Sequence, residues 1–358
     1  MNSVVVDIKG FLEGQRDEID AKIESLIPKK LTKANIEKIC GKPRYAYDVE
    51  TASKAVNEPI WDLLSRGGKR WRPALFLLSH EAFGGDSKKV FDFVVIPEVV
   101  HNGTLMVDDI EDNSDLRRGK PCVHKIYGVD VAINAGNAMY YLPLLSLMRA
   151  KGKFPDAMLL RAYEIYSQEM IQLSYGQGMD IWWHKGEKYS VSEDEYLQMC
   201  AYKTGTLARM SAKLGALFAN ASEKEIEAIG KFAESIGVAF QIQDDILNLV
   251  GEQFSKGKGV GEDIREGKRS LIIIHSLKRA DKKDGDRLRA ILLSRPTDQK
   301  VVDEAIAIVK KYDSIQYSAT RAKEIVYDAW KELAPLLKPS KAKDTLKAFA
   351  DYLVERSI

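Results

Sequence analysis

The chain has 358 residues, 45% of them hydrophobic, enough for one large core or at most two domains. Lys and Arg number 54 against 52 Asp and Glu, a net charge of +2, which argues against a broad nucleic-acid footprint. The three cysteines, Cys40, Cys122 and Cys200, are scattered and form no CxxC pair, so neither a disulfide framework nor a thiolate zinc site is expected, and reduced thiols point to the cytoplasm.

Residues 7–27 place Ile8, Phe11, Leu12, Ile19, Ile23 and Leu26 at helical spacing and stop at Pro28. Met1 to Gly10 lacks the layout of a signal peptide. Residues 28–53 are mixed and basic and read as a linker. Residues 1–54 are therefore expected to be a weakly attached N-terminal helix and linker, and 55–358 the main domain. There, helical stretches follow one another over roughly 59–66, 72–84, 88–116, 129–149, 156–183, 193–218, 223–250, 268–279, 285–293, 300–311, 315–336 and 341–356. Ser192 with Glu195, and Ser222 with Glu225, read as capping boxes. Gly84-Gly85, Gly119-Lys120-Pro121 and the glycines of 251–261 punctuate the set. No β-hairpin signal is read, so the expectation is an all-α, single-domain fold. No apolar run comes near the ~18 to 20 residues that span a bilayer, so no transmembrane segment is expected.

Two acidic clusters fall inside helical patterns. In Asp108-Asp109-Ile110-Glu111-Asp112, Asp108 and Asp112 project from one face. Like charges at that spacing repel, so something cationic should offset them. Oxygen donors of this kind suit Mg²⁺. In Asp244-Asp245-Ile246-Leu247-Asn248 the flanks are apolar, and adjacent aspartates there are costly unless paired or metal-bound. Basic segments accompany them: Gly67-Gly68-Lys69-Arg70-Trp71-Arg72-Pro73, Arg117-Arg118, Lys203-Thr204-Gly205, and the loop Lys256 to Gly261 followed by Lys268. Each alone reads as a solvated charge pair or a turn. Together they describe two acidic helices ringed by Lys and Arg, the usual means of holding diphosphates.

In this order, Gly-Gly-Lys-Arg-x-Arg-Pro, Asp108-Asp109-x-x-Asp112 with Arg117-Arg118-Gly119, Lys203-Thr204-Gly205, Phe240-Gln241-x-x-Asp244-Asp245 and Gly267-Lys268 resemble the trans-isoprenyl diphosphate synthase family. The match covers roughly residues 55–280. Asp108 to Gly128 and Gly176-Gln-Gly-Met-Asp180 with Ile181-Trp182-Trp183 are most similar to its geranylgeranyl diphosphate synthases. Many members have a third Asp where Asn248 stands, and the geranylgeranyl branch tends to have Asn.

The resemblance implies a helical bundle of the isoprenoid synthase type around a deep central apolar cavity, and a homodimer. It implies Mg²⁺ on Asp108, Asp112 and Asp244, with Asp109 and Asp245 orienting waters and basic partners. Arg117, Lys203, Lys258 and Lys268 would hold an allylic diphosphate (dimethylallyl, geranyl or farnesyl). Lys69, Arg72, His101 and Arg118 would hold isopentenyl diphosphate. Thr204 and Gln241 would face an allylic cation formed by loss of diphosphate, in a cavity that excludes water. Product length should depend on what lies beneath Asp108. Thr104 and Gly103 are not bulky, Tyr140 and Tyr141 are candidates for a floor, and Ser174 stands where the branch often has a larger residue. A C20 product is expected, with C25 as the alternative. A terpene cyclase would lack the Lys69, Arg72 and Arg118 set, and a non-catalytic regulatory subunit would have eroded aspartates.

Overall fold

The computed structural model describes residues 6–186, 188, 190–250 and 260–354. Lys256 and Lys258 lie outside the described residues. The chain divides into two compact units: Met1–Ile165 with Ser211–Ser222, and Tyr166–Met210 with Glu223–Ile358. Nearly all the regular structure is helical.

In the first unit, Asp7 caps the Ile8–Leu26 helix by accepting the Gly10 N–H at 2.9 Å, which satisfies one of its orphan donors. Ile19 and Ile23 are fully buried, and the helix packs on Trp71–Ala82 and Val95–Glu111. Asp20 pairs with Arg70 at 2.7 Å. This helix is thus part of the unit's core, contrary to the expected weak attachment, because its apolar stripe has a matching surface. The segment read as a linker also holds a helix, Lys33–Cys40, capped by Thr32. It buries only Ile36, so its periodicity was faint. Trp71–Ala82 is buried along nearly its whole length. Phe93 stacks on Phe218 at 4.2 Å between ring centroids, with Phe154 edge-on to Phe218 at 5.3 Å.

Three features differ from expectation in this unit. Ser87–Glu111 is a 25-residue helical stretch containing an 18-residue window of mean hydropathy 1.4, long and apolar enough to cross a membrane by length and composition. Its polar and charged residues interrupt the apolar run, so contiguous apolar length does not reveal it. However, 67% of the apolar window is buried inside the protein, as in a core helix. Second, the stretch expected over 129–149 splits into Val129–Tyr141 and Leu144–Met148, because Pro143 has no N–H to continue the ladder. Third, a small antiparallel pair, Leu116–Arg117 with Lys120–Pro121, follows the first acidic cluster. Arg118 (φ 53°) and Gly119 (φ 75°) form its two-residue turn, the primed geometry that matches strand twist.

In the second unit, Glu223–Val250 packs on Ser314–Leu333 and Lys341–Val354. Phe232 meets Trp330 at 5.2 Å. Arg209 is nine-tenths buried and bonds Glu169 through Nε at 2.8 Å and Nη2 at 2.6 Å, a bidentate arrangement that satisfies both charges. The Ser192–Glu195 capping box is present in full. The helix expected over 193–218 is interrupted by a wide turn, Ala201–Gly205, between Glu193–Cys200 and Thr206–Phe218. Such π-type insertions recur at functional sites.

Candidate active site

In the first unit the Val95–Glu111 helix carries Asp108 and Asp109, and Asp112 follows it as the C-cap. Asp109 is 1% exposed in its side chain. Arg117, one strand position before the turn, donates from Nη2 at 2.5 Å and from Nε at 2.8 Å to Asp109 Oδ1, and lies 3.6 Å from Asp108 Oδ2. Burial alone would lower the guanidinium's proton affinity; the hydrogen bond and charge of Asp109 raise it instead. Asp108 and Asp112 remain partly exposed.

Arg118 points elsewhere. It donates to the backbone oxygens of Gly67 and Leu63 and, at 3.3 Å, to Asn102 Oδ1, and makes no ion pair among the described residues. Gly68 has φ 148°, and a Cβ there would meet Arg70 Nη1 at 2.8 Å and Arg118 Nη2 at 3.3 Å. The glycine thus makes room for two guanidinium groups. Arg70 is held by Glu98 at 2.8 Å and by Asp20, which makes it a structural residue. Arg72 is 6% exposed and stands over the Trp71 ring at 4.3 Å. His101 is pushed well below its usual range by burial first and then by Arg72, Arg118, Arg117 and Arg70. A neutral imidazole among cations marks a strongly positive region, suited to an anion.

The second unit builds its cluster on the wide turn at Lys203-Thr204. Glycines on both neighbouring helices let the turn approach. A Cβ on Gly176 would meet Lys203 N at 2.4 Å, and one on Gly237 would meet Gly205 Cα at 2.6 Å. Lys203 Nζ bonds Asp180 Oδ2 at 2.5 Å. Thr204 Oγ1 donates to Gln241 Oε1 at 2.9 Å, and Gln241 Nε2 donates to Asp245 Oδ1 at 2.9 Å. Tyr196 OH donates to Asp245 Oδ2 at 2.7 Å. Burial, with the charge of Asp263, pushes Asp245 up to about 8. Lys268 pairs with Glu266 at 2.7 Å and lies 3.4 Å from Asp263. Asp180, Lys203, Gln241, Asp245 and Lys268 line one small polar cavity of about 50 Å³. Asn248 Oδ1 accepts the Asp263 N–H at 3.1 Å, so this amide caps the turn that leads to Lys268. Asp180, Tyr196 and Asp263 complete the cluster. No role was read for them from the sequence, because Tyr196 has no motif around it and the partners of all three arise only on folding.

Among the described residues no three His, Cys, Asp or Glu side chains cluster closely enough to hold an ion by themselves. Asp108, Asp112 and Asp244 are partly exposed carboxylates. Each is an oxygen donor of the kind a hard cation takes when it completes its shell with water and phosphate.

The residues expected to set product length separate. Gly103 is buried against the Val129–Tyr141 helix: a Cβ there would meet Met139 Cβ at 2.8 Å and Gly136 O at 3.0 Å. It lets the two helices cross closely. Thr104 is half-buried and donates to His101 O at 2.8 Å. Tyr140 is half-buried and lies 3.2 Å from the Gly103 Cβ position, whereas Tyr141 is 71% exposed. Ser174 is exposed and donates to Met170 O at 3.0 Å.

Comparison with known proteins agrees with these motifs. Residues 53–309 match the family model described as polyprenyl synthetase. A short chain isoprenyl diphosphate synthase of Methanothermobacter thermautotrophicus is 37% identical over 294 residues, covering 82% of this chain and 88% of that protein. A geranylgeranyl diphosphate synthase of Sulfolobus acidocaldarius is 32% identical, covering 84% of this chain and 90% of its own. The crystal structure of a geranylgeranyl pyrophosphate synthetase from Pyrococcus horikoshii superposes with a TM-score of 0.84 at 34% identity, covering 98% of this chain and all of the other. That coverage takes in most of the N-terminal segment outside the motifs. With two aspartate clusters, their cationic partners and these likenesses in agreement, the chain belongs to the polyprenyl synthetase family and is a trans-prenyltransferase.

Proposed function

We propose that this enzyme condenses isopentenyl diphosphate head to tail with allylic diphosphates and releases a C20 diphosphate, with Mg²⁺ as cofactor. The observation that carries the reading is a pair of distinct cationic sets, Arg118 with Arg72 around the neutral imidazole of His101 in one unit and Lys203 with Lys268 in the other. Two diphosphates require two such sets. Arg118 bonds only neutral acceptors among the described residues and has charge to give to an isopentenyl diphosphate, a role in which Lys69, Arg72 and His101 would join it. Lys203 and Lys268, with Arg117, would hold the allylic diphosphate. Lys258, proposed for the same role, lies outside the described residues.

Asp108, Asp112 and Asp244 would hold Mg²⁺. When bound it would offset the charge that develops on the departing diphosphate. Lys203 and Lys268 would stabilise the same charge by direct hydrogen bonds. Thr204 and Gln241 form a continuous chain to Asp245, so their dipoles are fixed before the allylic cation forms. Asp109 holds Arg117 in place. Loss of a proton to the released diphosphate completes the reaction.

A homodimer working in the cytoplasm is part of this reading. Exposed Ile126, Val129 and Ile133 in the first unit, and Ile171, Tyr175 and Trp182 in the second, offer apolar area for a second copy. A C25 product is the second reading, for which the small Ser174, where the geranylgeranyl branch often has a larger residue, is the ground.

The test is incubation of the full chain with isopentenyl diphosphate, farnesyl diphosphate and Mg²⁺, then phosphatase treatment and chromatography of the alcohols. A C20 alcohol is expected. Its loss in Asp108→Ala and Asp244→Ala, with the helical signal retained, would support the aspartate roles; full turnover in both variants would remove them.

A further inference from the structure

The second unit holds another, larger cavity of about 700 Å³, within the range of small-molecule sites. Its floor includes Arg269, which follows Lys268 in the chain and also lines the small polar cavity around Lys203. Arg269 is 9% exposed. Its Nη1 donates to Gly267 O at 2.7 Å, but its buried Nε has no hydrogen-bond partner among the described residues. No carboxylate pairs with it there. A guanidinium so deeply buried is costly without an anion.

The surroundings add positive charge. Lys278, Arg279 and Arg289 line the same cavity; Arg289 pairs with Asp286 at 3.1 Å, whereas Lys278 and Arg279 make no ion pair among the described residues. The only carboxylate in the lining, Glu193, is engaged by Tyr317 OH at 2.6 Å and Arg321 Nε at 3.0 Å. The remaining walls are apolar, chiefly Val191, Ile274, Leu277 and Leu292. Cations set among apolar walls select an amphiphilic anion.

We propose that this cavity is a second diphosphate-binding site, distinct from the one at Lys203 and Lys268, which seats a diphosphate on Arg269, Lys278 and Arg279 and a short isoprenyl tail along Leu277 and Leu292. A ligand there engages Arg269 beside Lys268, so occupancy adjusts how tightly the neighbouring cavity holds its own diphosphate. The inference takes from the proposed function only the class of ligand.

The test is calorimetric titration of the full chain with geranyl thiodiphosphate, which carries the group but does not ionise readily, and in parallel with inorganic diphosphate. Lys278→Gln/Arg279→Gln alters exposed residues outside the catalytic machinery, so it should keep turnover at low substrate. It should weaken one binding event roughly tenfold or more, the scale of losing charged hydrogen bonds. Lys203→Gln should weaken a different event, and Arg269→Gln should abolish the first. Tighter binding of the thio-analogue than of inorganic diphosphate assigns the site to an isoprenyl diphosphate; equal binding assigns it to released diphosphate. Titrations unchanged by both Arg269→Gln and the Lys278/Arg279 double variant would overturn the proposal. The condensation assay reads the proposed function separately, since a chain that fails to condense can still show or lack this second event.

Discussion

Arg117 and Arg118 are neighbours in the chain yet serve different groups, because a two-residue turn sends their side chains to different partners. Removing Arg117 leaves Asp109, 1% exposed in its side chain, without its cation. Taking away one member of a buried pair costs about 3 kcal/mol or more. Arg117→Gln should therefore lower both stability and allylic affinity, read by denaturant titration and by KM for each substrate. Arg118→Gln removes no ion pair and should chiefly raise KM for isopentenyl diphosphate. Equal KM effects from the two changes would cancel the assignment. Thr104 lies one turn before Asp108 and is half-buried. A ring there occupies space next to the metal-binding turn, and overfilling costs about 1–3 kcal/mol. Thr104→Phe should shift the main product towards C15, whereas Tyr140→Ala should lengthen it. Tyr141→Ala, at a position 71% exposed, should leave length unchanged in the isolated chain. An unaltered product profile in an active Thr104→Phe enzyme would show that the tail does not run along this face.

The wide turn at Ala201–Gly205 depends on what its neighbours lack. Gly237 lets Gly205 Cα approach to 2.6 Å from where a Cβ would stand, and Thr204 O to 3.1 Å. These are backbone atoms, so the clash cannot be relieved by a rotamer. Gly237→Ala should cost about 1–3 kcal/mol and displace Lys203 and Thr204 together. Turnover should fall even though no catalytic group has been removed. Thermal unfolding and kcat measured on the same preparation check this; an unchanged kcat with lowered Tm would separate the turn's packing from the chemistry. Periodicity alone reads 193–218 as one helix, since a single inserted residue barely shifts the apolar pattern. The Asp108–Asp112 helix, by contrast, was legible because its charges interrupt an otherwise apolar face.

Across the whole molecule all five histidines, His80, His101, His124, His184 and His275, lie below their ordinary value, in each case through burial first. The unfolded chain takes up protons near pH 6.5, the folded chain only at lower pH. Each histidine therefore contributes stability that is present above pH 6.5 and lost as the pH falls towards the folded value. Buried Asp245, pushed up to about 8, works in the opposite sense, so the net curve mixes the two. Comparison of wild type with His101→Gln isolates one group. The Tm of wild type minus that of the variant should move downward between pH 7.5 and pH 5.5. A constant difference would mean that His101 is not held neutral by burial and the arginines around it.

Spacing and residue type by themselves determined the helical class, the two aspartate clusters and the cations that go with them, because Asp at four-residue intervals and Gly before Lys-Arg are local patterns. They also placed the N-terminal helix, though not its burial. Only the tertiary structure decided which partner each charge meets. Asp180 reaches Lys203 across 23 residues and Tyr196 reaches Asp245 across 49, and no local signal encodes such pairs. It also decided that Gly103 serves a helix crossing, that Tyr140 and Tyr141 part company, and that Arg269 is buried without a carboxylate among the described residues. Burial and pairing are properties of the packed chain, set by which faces meet when the apolar stripes leave water.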